Sequence, residues 1–142
     1  MPYLGQHMVQ CSRVPFNFRM VEVFIVNGVK LNGHPVNPCG HAILRAGHYY
    51  FHIDGPVEHP WYLDEAGFKR YLNENDKTVE RRILAVLPNP DGARRKMDQL
   101  MANDWRWWGV LHNCATFVEE ILAAGGWPHL RSYGNCPKLG WR

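Results

Sequence analysis

The sequence predicts an α+β fold, an antiparallel sheet packed against helices, and three observations predict it. Residues 21–26 (VEVFIV) are a β-branched and aromatic run bounded by a turn signal, the signature of a strand. Residues 40–46 (GHAILRA) and 49–54 (YYFHID) read as two more strands, and a link as short as Gly47-His48 joins antiparallel neighbours. Residues 113–124 (NCATFVEEILAA) place Cys114, Phe117, Val118, Ile121 and Leu122 at helical spacing, with Glu119 and Glu120 turned away.

The elements follow in chain order. After the strand at 21–26, Asn27-Gly28 reads as a turn and nothing more, with 29–31 returning as a short hairpin arm. Gly33, Pro35 and Pro38 make 32–39 a loop. Glycine at the first loop position of Gly47-His48 suits a type II′ turn, and that turn fixes the register. Ala46 then faces Tyr49, Leu44 faces Phe51, Ile43 faces His52 and His41 faces Asp54. Alternation gives one apolar face of Ala42, Leu44, Ala46, Tyr49, Phe51 and Ile53. The other, polar face carries His41, Ile43, Arg45, Tyr50, His52 and Asp54.

Residues 56–60 read as loop. Residues 64–72 form a short helix capped by Asp64. A strand at 78–87 ends at Pro88, and 90–102 is helical with Met97 and Leu100 on one face. Residues 104–112 (DWRWWGVLH) are aromatic and irregular. Gly125-Gly126 stops the last helix, and 127–142 is coil packed on the domain.

A chain of 142 residues suits one domain, residues 1–142, since two would be too small to bury good cores. Its 46% apolar and 20% charged composition is that of a globular protein, and no run is apolar and long enough to span a membrane. A net charge of +3 without a Lys/Arg cluster argues against nucleic acid as partner, while leaving an anionic wall or lipid surface open. The first residues, MPYLGQHMVQCSR, lack the apolar run of a signal peptide, so a cytoplasmic location or leaderless export is expected. The four cysteines, Cys11, Cys39, Cys114 and Cys136, are widely spaced with no CxxC pair, which argues against structural zinc. A disulfide, if present, would pair two of Cys11, Cys39 and Cys136 and leave Cys114 free.

Chemistry centres on Cys114. At the start of a helix, beside Asn113 as N-cap, the helix dipole favours a thiolate, and the thiolate is the nucleophilic form. Backbone N–H groups there also suit an oxyanion. A lone helical cysteine is more often a small buried core residue. The histidines shift that balance. A thiolate needs a base and the base an orienting group. The hairpin supplies His41 as base and His52 to orient it, with Asp54 as the alternative orienting residue.

Trp107 and Trp108, with Trp105, supply rigid contact area for a substrate groove, or equally plug the core. Arg45 and Tyr50 on the polar face suit an anionic substrate group, or simply solvent. His112 is a loop residue beside the helix. His48, His52 and His59 are close in sequence, yet no HExxH or Cys/His ligand pattern accompanies them, so no metal or other cofactor is expected.

The segment GHAILRAGHYYFHID resembles the His-bearing hairpin of the NlpC/P60 and related papain-like superfamily, with His41 and His52 at the positions of the catalytic His and the third polar residue. HNCATFVEEILAAGG resembles the family's nucleophile helix, Cys leading and an aromatic, Phe117, three residues on. In the ordinary family the Cys comes first. The order found here resembles the circularly permuted branch that includes lecithin:retinol acyltransferase-like and PPPDE proteins. The match covers about half of the chain and omits 1–32 and the tail.

The resemblance implies a cysteine hydrolase working through a thioester acyl-enzyme without a metal. Its foremost substrate is a peptide or amide bond of peptidoglycan, in the manner of a secreted bacterial effector toxin with an immunity or inhibitor protein as partner. Alternatives are a lipid acyltransferase or phospholipase, an isopeptidase, and a non-catalytic binding module on the same fold.

Overall fold

The computed structural model describes residues 3–7, 17–28, 30–31, 34–35, 40–53, 60–102 and 114–127. Its main sheet has six strands in the order β1-β7-β6-β5-β2-β8, every pair antiparallel. The strands are β1 (Gln6–His7), β2 (Met20–Val26), β5 (His41–Ala46), β6 (Tyr49–His52), β7 (Trp61–Leu63) and β8 (Val79–Val86). A separate two-stranded ladder joins β3 (Lys30–Leu31) to β4 (His34–Pro35). The helices are α1 (Glu65–Glu74), α2 (Pro90–Ala102) and α3 (Cys114–Ala124). The α+β class and the antiparallel sheet are as the sequence predicts.

The β5–β6 hairpin has the predicted register, Ala46 opposite Tyr49 and Leu44 opposite Phe51. Gly47 carries φ 63° while His48 stays at negative φ, as a type II′ turn requires. On one side of the sheet, Ala42, Leu44, Ala46, Phe51 and Ile53 bury against Phe117, Val118, Ile121 and Leu122 of α3 and Met97 of α2. Tyr49 packs on the margin of this layer.

The other side is not simply polar. Ile43 and Tyr50 join Phe24, Val26 and Leu63 in a second apolar layer closed by Phe68 and Tyr71 of α1. Tyr50 stacks on Phe68 at 4.0 Å between centroids. The sheet is thus a central layer, with α1 on one side and the α2–α3 pair on the other.

Three local expectations change. Residues 30–31 pair with β4, inside the stretch expected to be loop, and not back onto β2, while Asn27 is engaged elsewhere. Its buried amide donates to the carbonyls of Gly28 and Asp76 and accepts from the Thr78 N–H at 2.6 Å, clamping the end of β2 to the α1–β8 connection. Residues 61–63, between the loop and helix, form β7. Residues 6–7 add β1 at its outer edge.

The helix ends follow capping chemistry. Asp64 accepts from the Gly67 N–H at 2.7 Å, and α1 runs two residues past the predicted end. Gly126, at φ 89°, closes α3 with Gly126 N–H to Ala123 O and Trp127 N–H to Leu122 O, a Schellman arrangement. No described helix is long and apolar enough to cross a membrane.

Candidate functional site

His41 is the first residue of β5 and His52 the last of β6, so the hairpin brings the two rings together by register alone. His41 Nε2 and His52 Nδ1 lie 2.9 Å apart. His52 is fully buried and its Nε2 lies 2.6 Å from the Leu4 carbonyl. A carbonyl only accepts, so His52 Nε2 carries the proton and donates. The Nδ1 of a neutral His52 must then accept, and His41 Nε2–H is the donor. A chain of two donations therefore runs His41 to His52 to Leu4. It assigns the Nε2–H tautomer to both rings and puts the lone pair of neutral His41 on Nδ1.

The walls of this pair are aromatic. Tyr71 meets His52 edge-on at 5.0 Å and His41 at 6.4 Å between centroids. Leu4 belongs to the segment 3–7, held where β1 pairs with β7 and where the Asn75 amide donates to the Tyr3 carbonyl at 2.8 Å.

Cys114 opens α3 as a buried thiol outside any disulfide, 8% exposed. It lies in the apolar layer that contains Ala42, Leu44 and the α3 stripe. Helix α3 packs on β5 and β6, the strands that carry the histidines. Those histidines alternate with Ala42 and Phe51, so their rings fall on the α1 side of the sheet, beside Tyr71. His41 begins β5 directly after Gly40, which carries φ 75°.

Arg45 and Tyr50 do share the face of the histidines, at its far end. Both are engaged with Glu65 in the first turn of α1. Arg45 Nη2 lies 2.7 Å from Glu65 Oε1, and the Tyr50 hydroxyl donates to the same carboxylate at 3.0–3.1 Å. Burial of Tyr50, then its hydrogen bond to Glu65, push its phenol up to about 12, against the pull of Arg45. A substrate anion would have to displace Glu65 from these groups.

His48 is exposed in the hairpin turn. Asp54, His59, Trp105, Trp107, Trp108, His112 and Asn113 lie outside the described residues, as do Cys11, Cys39 and Cys136.

Sequence reasoning missed three participants: the Leu4 carbonyl, Tyr71 and Glu65. Tyr71 had a signal, since it lies three residues after Phe68 on the buried face of α1. Leu4 had none, because a backbone carbonyl has no side-chain signature.

No family model, no curated protein and no solved structure matches this chain.

Proposed function

We propose that this protein is a cysteine-dependent hydrolase that cleaves an amide bond through a thioester on Cys114, with His41 as general base and His52 as its orienting residue. The observation that carries the reading is the His41–His52–Leu4 chain of hydrogen bonds, which presents the His41 lone pair at Nδ1. Taken with the His-hairpin-before-Cys-helix order, it supports the resemblance to the permuted papain-like, NlpC/P60-type enzymes.

In the reaction, His41 Nδ1 takes the proton of the Cys114 thiol, and the thiolate attacks the scissile carbonyl. The imidazolium formed keeps its Nε2–H bond to His52, which stays neutral and accepts. The Cys114 backbone N–H faces the developing oxyanion. His41 then protonates the leaving amine, and water, deprotonated by the same ring, hydrolyses the thioester and restores the thiol.

The favoured substrate is a peptide amide of peptidoglycan, which fits a secreted effector toxin guarded by an immunity protein. Lipid acyl transfer and isopeptide cleavage use the same machinery on other acyl groups.

A second reading has its own observation, the placement of Cys114 and the histidine rings in different layers of the sandwich. In that reading the module binds without catalysis, and the histidine pair ties the N-terminal segment to the sheet. One experiment separates the two: the rate of Cys114 alkylation by iodoacetamide against pH, in the parent and in His41→Ala. The hydrolase reading expects a midpoint well below the free-cysteine value of about 8.5, moving up when His41 is removed. A normal midpoint, indifferent to His41, refutes it. Muropeptide turnover abolished in Cys114→Ala then tests the substrate, and intact muropeptides move the search to phospholipid and isopeptide substrates.

A further inference from the structure

Residues 3–7 are held at several points, and only one of them is the histidine pair. The Tyr3 N–H donates to Glu74 Oε1 at 3.1 Å, and the Tyr3 carbonyl accepts from Asn75 Nδ2 at 2.8 Å. The guanidinium of Arg70 lies 4.1 Å above the Tyr3 ring and is paired with Glu74. Gly5 passes at φ 129° so close to β7 that a Cβ would lie 2.8 Å from the Tyr62 carbonyl oxygen. Gln6 pairs with Tyr62 in the ladder and accepts from its hydroxyl. Between these fixings, Leu4 turns its carbonyl onto the buried Nε2 of His52.

We infer that residues 3–7 form a positioning strap: anchored on the last turn of α1 and on β7, it sets the tautomer of His52 and, through it, of His41. This rests on the proposed role of His41 in its catalytic consequence, though not in its geometry. The Leu4 carbonyl, which can only accept, supplies a polarity that fixes the chain. With the strap seated, His52 must donate from Nε2 and accept at Nδ1. With it lifted, His52 loses that constraint, and a ring protonated at Nδ1 would turn a donor toward His41. His41 would then have to accept at Nε2 and carry its own proton on Nδ1, the atom required as base. Strap docking therefore acts as an on–off control of the base, and Tyr3, Leu4 and Asn75 are positioning residues.

The test uses the full chain with 15N-labelled histidine. Long-range 1H–15N spectra at neutral pH read the tautomer of each ring, and backbone amide exchange at residues 3–7 reads strap docking. Two variants approach the strap from different sides. Gly5→Ala drives a Cβ into β7 from an unfavourable φ, and Asn75→Ala removes the donor to Tyr3. Arg95→Gln, at an exposed position of α2 away from the strap, is the control and keeps the parent pattern.

Expected are two Nε2–H rings in the parent. In at least one of Gly5→Ala and Asn75→Ala, exchange across 3–7 rises tenfold or more, with loss of the pure Nε2–H signature of His52. A freed strap with both rings unchanged overturns the proposal, and so does a strap that stays protected in both variants. The spectra involve no chemistry at Cys114. An unreactive thiol with a responsive tautomer sinks the hydrolase reading alone, whereas a reactive thiol with indifferent tautomers sinks the strap alone.

Discussion

Exchanging His52 for Asn or Gln separates what the histidine pair does for stability from what it does for the thiol. Asn places an acceptor oxygen at the δ position, where ring Nδ1 receives the His41 Nε2–H, and gives up the donation to Leu4. Gln places its amide at the ε position, where it donates to Leu4, and gives up the δ acceptor. Each variant breaks one of these ring hydrogen bonds of a fully buried residue, 2.9 Å to His41 or 2.6 Å to Leu4. Orphaning the His41 N–H or the half-buried Leu4 carbonyl costs about 1–3 kcal/mol, the carbonyl toward the lower end. At an unfolding entropy of about 2.1 cal/mol/K per residue, this lowers the melting temperature of a 142-residue chain by roughly 3–10 °C.

Under the proposed hydrolase reading, the two should diverge in thiol reactivity. A hydrogen bond to a charged group is worth about 1.5–3 kcal/mol, so losing the acceptor that steadies the His41 imidazolium moves the alkylation midpoint up by about 1–2 pH units in His52→Gln. His52→Asn should hold the midpoint within a few tenths of a unit. The assays are iodoacetamide kinetics against pH and a thermal melt on the same preparations. Equal shifts in both variants, with equal loss of melting temperature, would refute the reasoning and leave His52 with a packing role only.

Other perturbations test the frame around the site. The raised phenol of Tyr50 makes the folded state hold a proton that the unfolded chain has released between pH 10 and about 12, so stability falls as pH rises through that window. Ultraviolet titration should lose a tyrosine ionising near 12 in Tyr50→Phe, and a late-ionising component unchanged by the substitution would contradict the assignment. Gly92→Ala should destabilise by about 1–3 kcal/mol in a urea melt, since a Cβ there lies 2.4 Å from the Ala124 carbonyl oxygen and wedges the start of α2 from the end of α3. An unchanged urea midpoint would mean that this junction yields freely.

The hairpin was legible because one glycine sets the turn, the turn sets the register, and the register brings His41 to His52. Asp64 announced α1, and the Cys114 stripe announced α3, because capping and helical periodicity are local properties. What could not be read locally was lost. Trp61–Leu63 is too short to show alternation. Ile43 looked like an incidental apolar residue on a polar face, and Tyr50 like a contact for a substrate anion or solvent, because the helix that buries them starts more than a dozen residues later. Asn27 resembled a turn residue, while its partners, Asp76 and Thr78, lie about fifty residues away. The candidate site followed the same division. Its histidines share a hairpin, but its third member is a carbonyl contributed by the far end of the chain.

The strap also sets a timetable. A chain is made from its N-terminus, so Tyr3 and Leu4 emerge well before the groups that hold them. The bond from Tyr3 N–H to Glu74 spans 71 positions. At a synthesis rate of about 5–20 residues per second, those partners follow roughly 4–14 s later. His41 and His52 pass from the ribosome inside that interval, as a hairpin able to form without the strap. A nascent chain would therefore carry the histidine pair for seconds before the Leu4 carbonyl settles on His52.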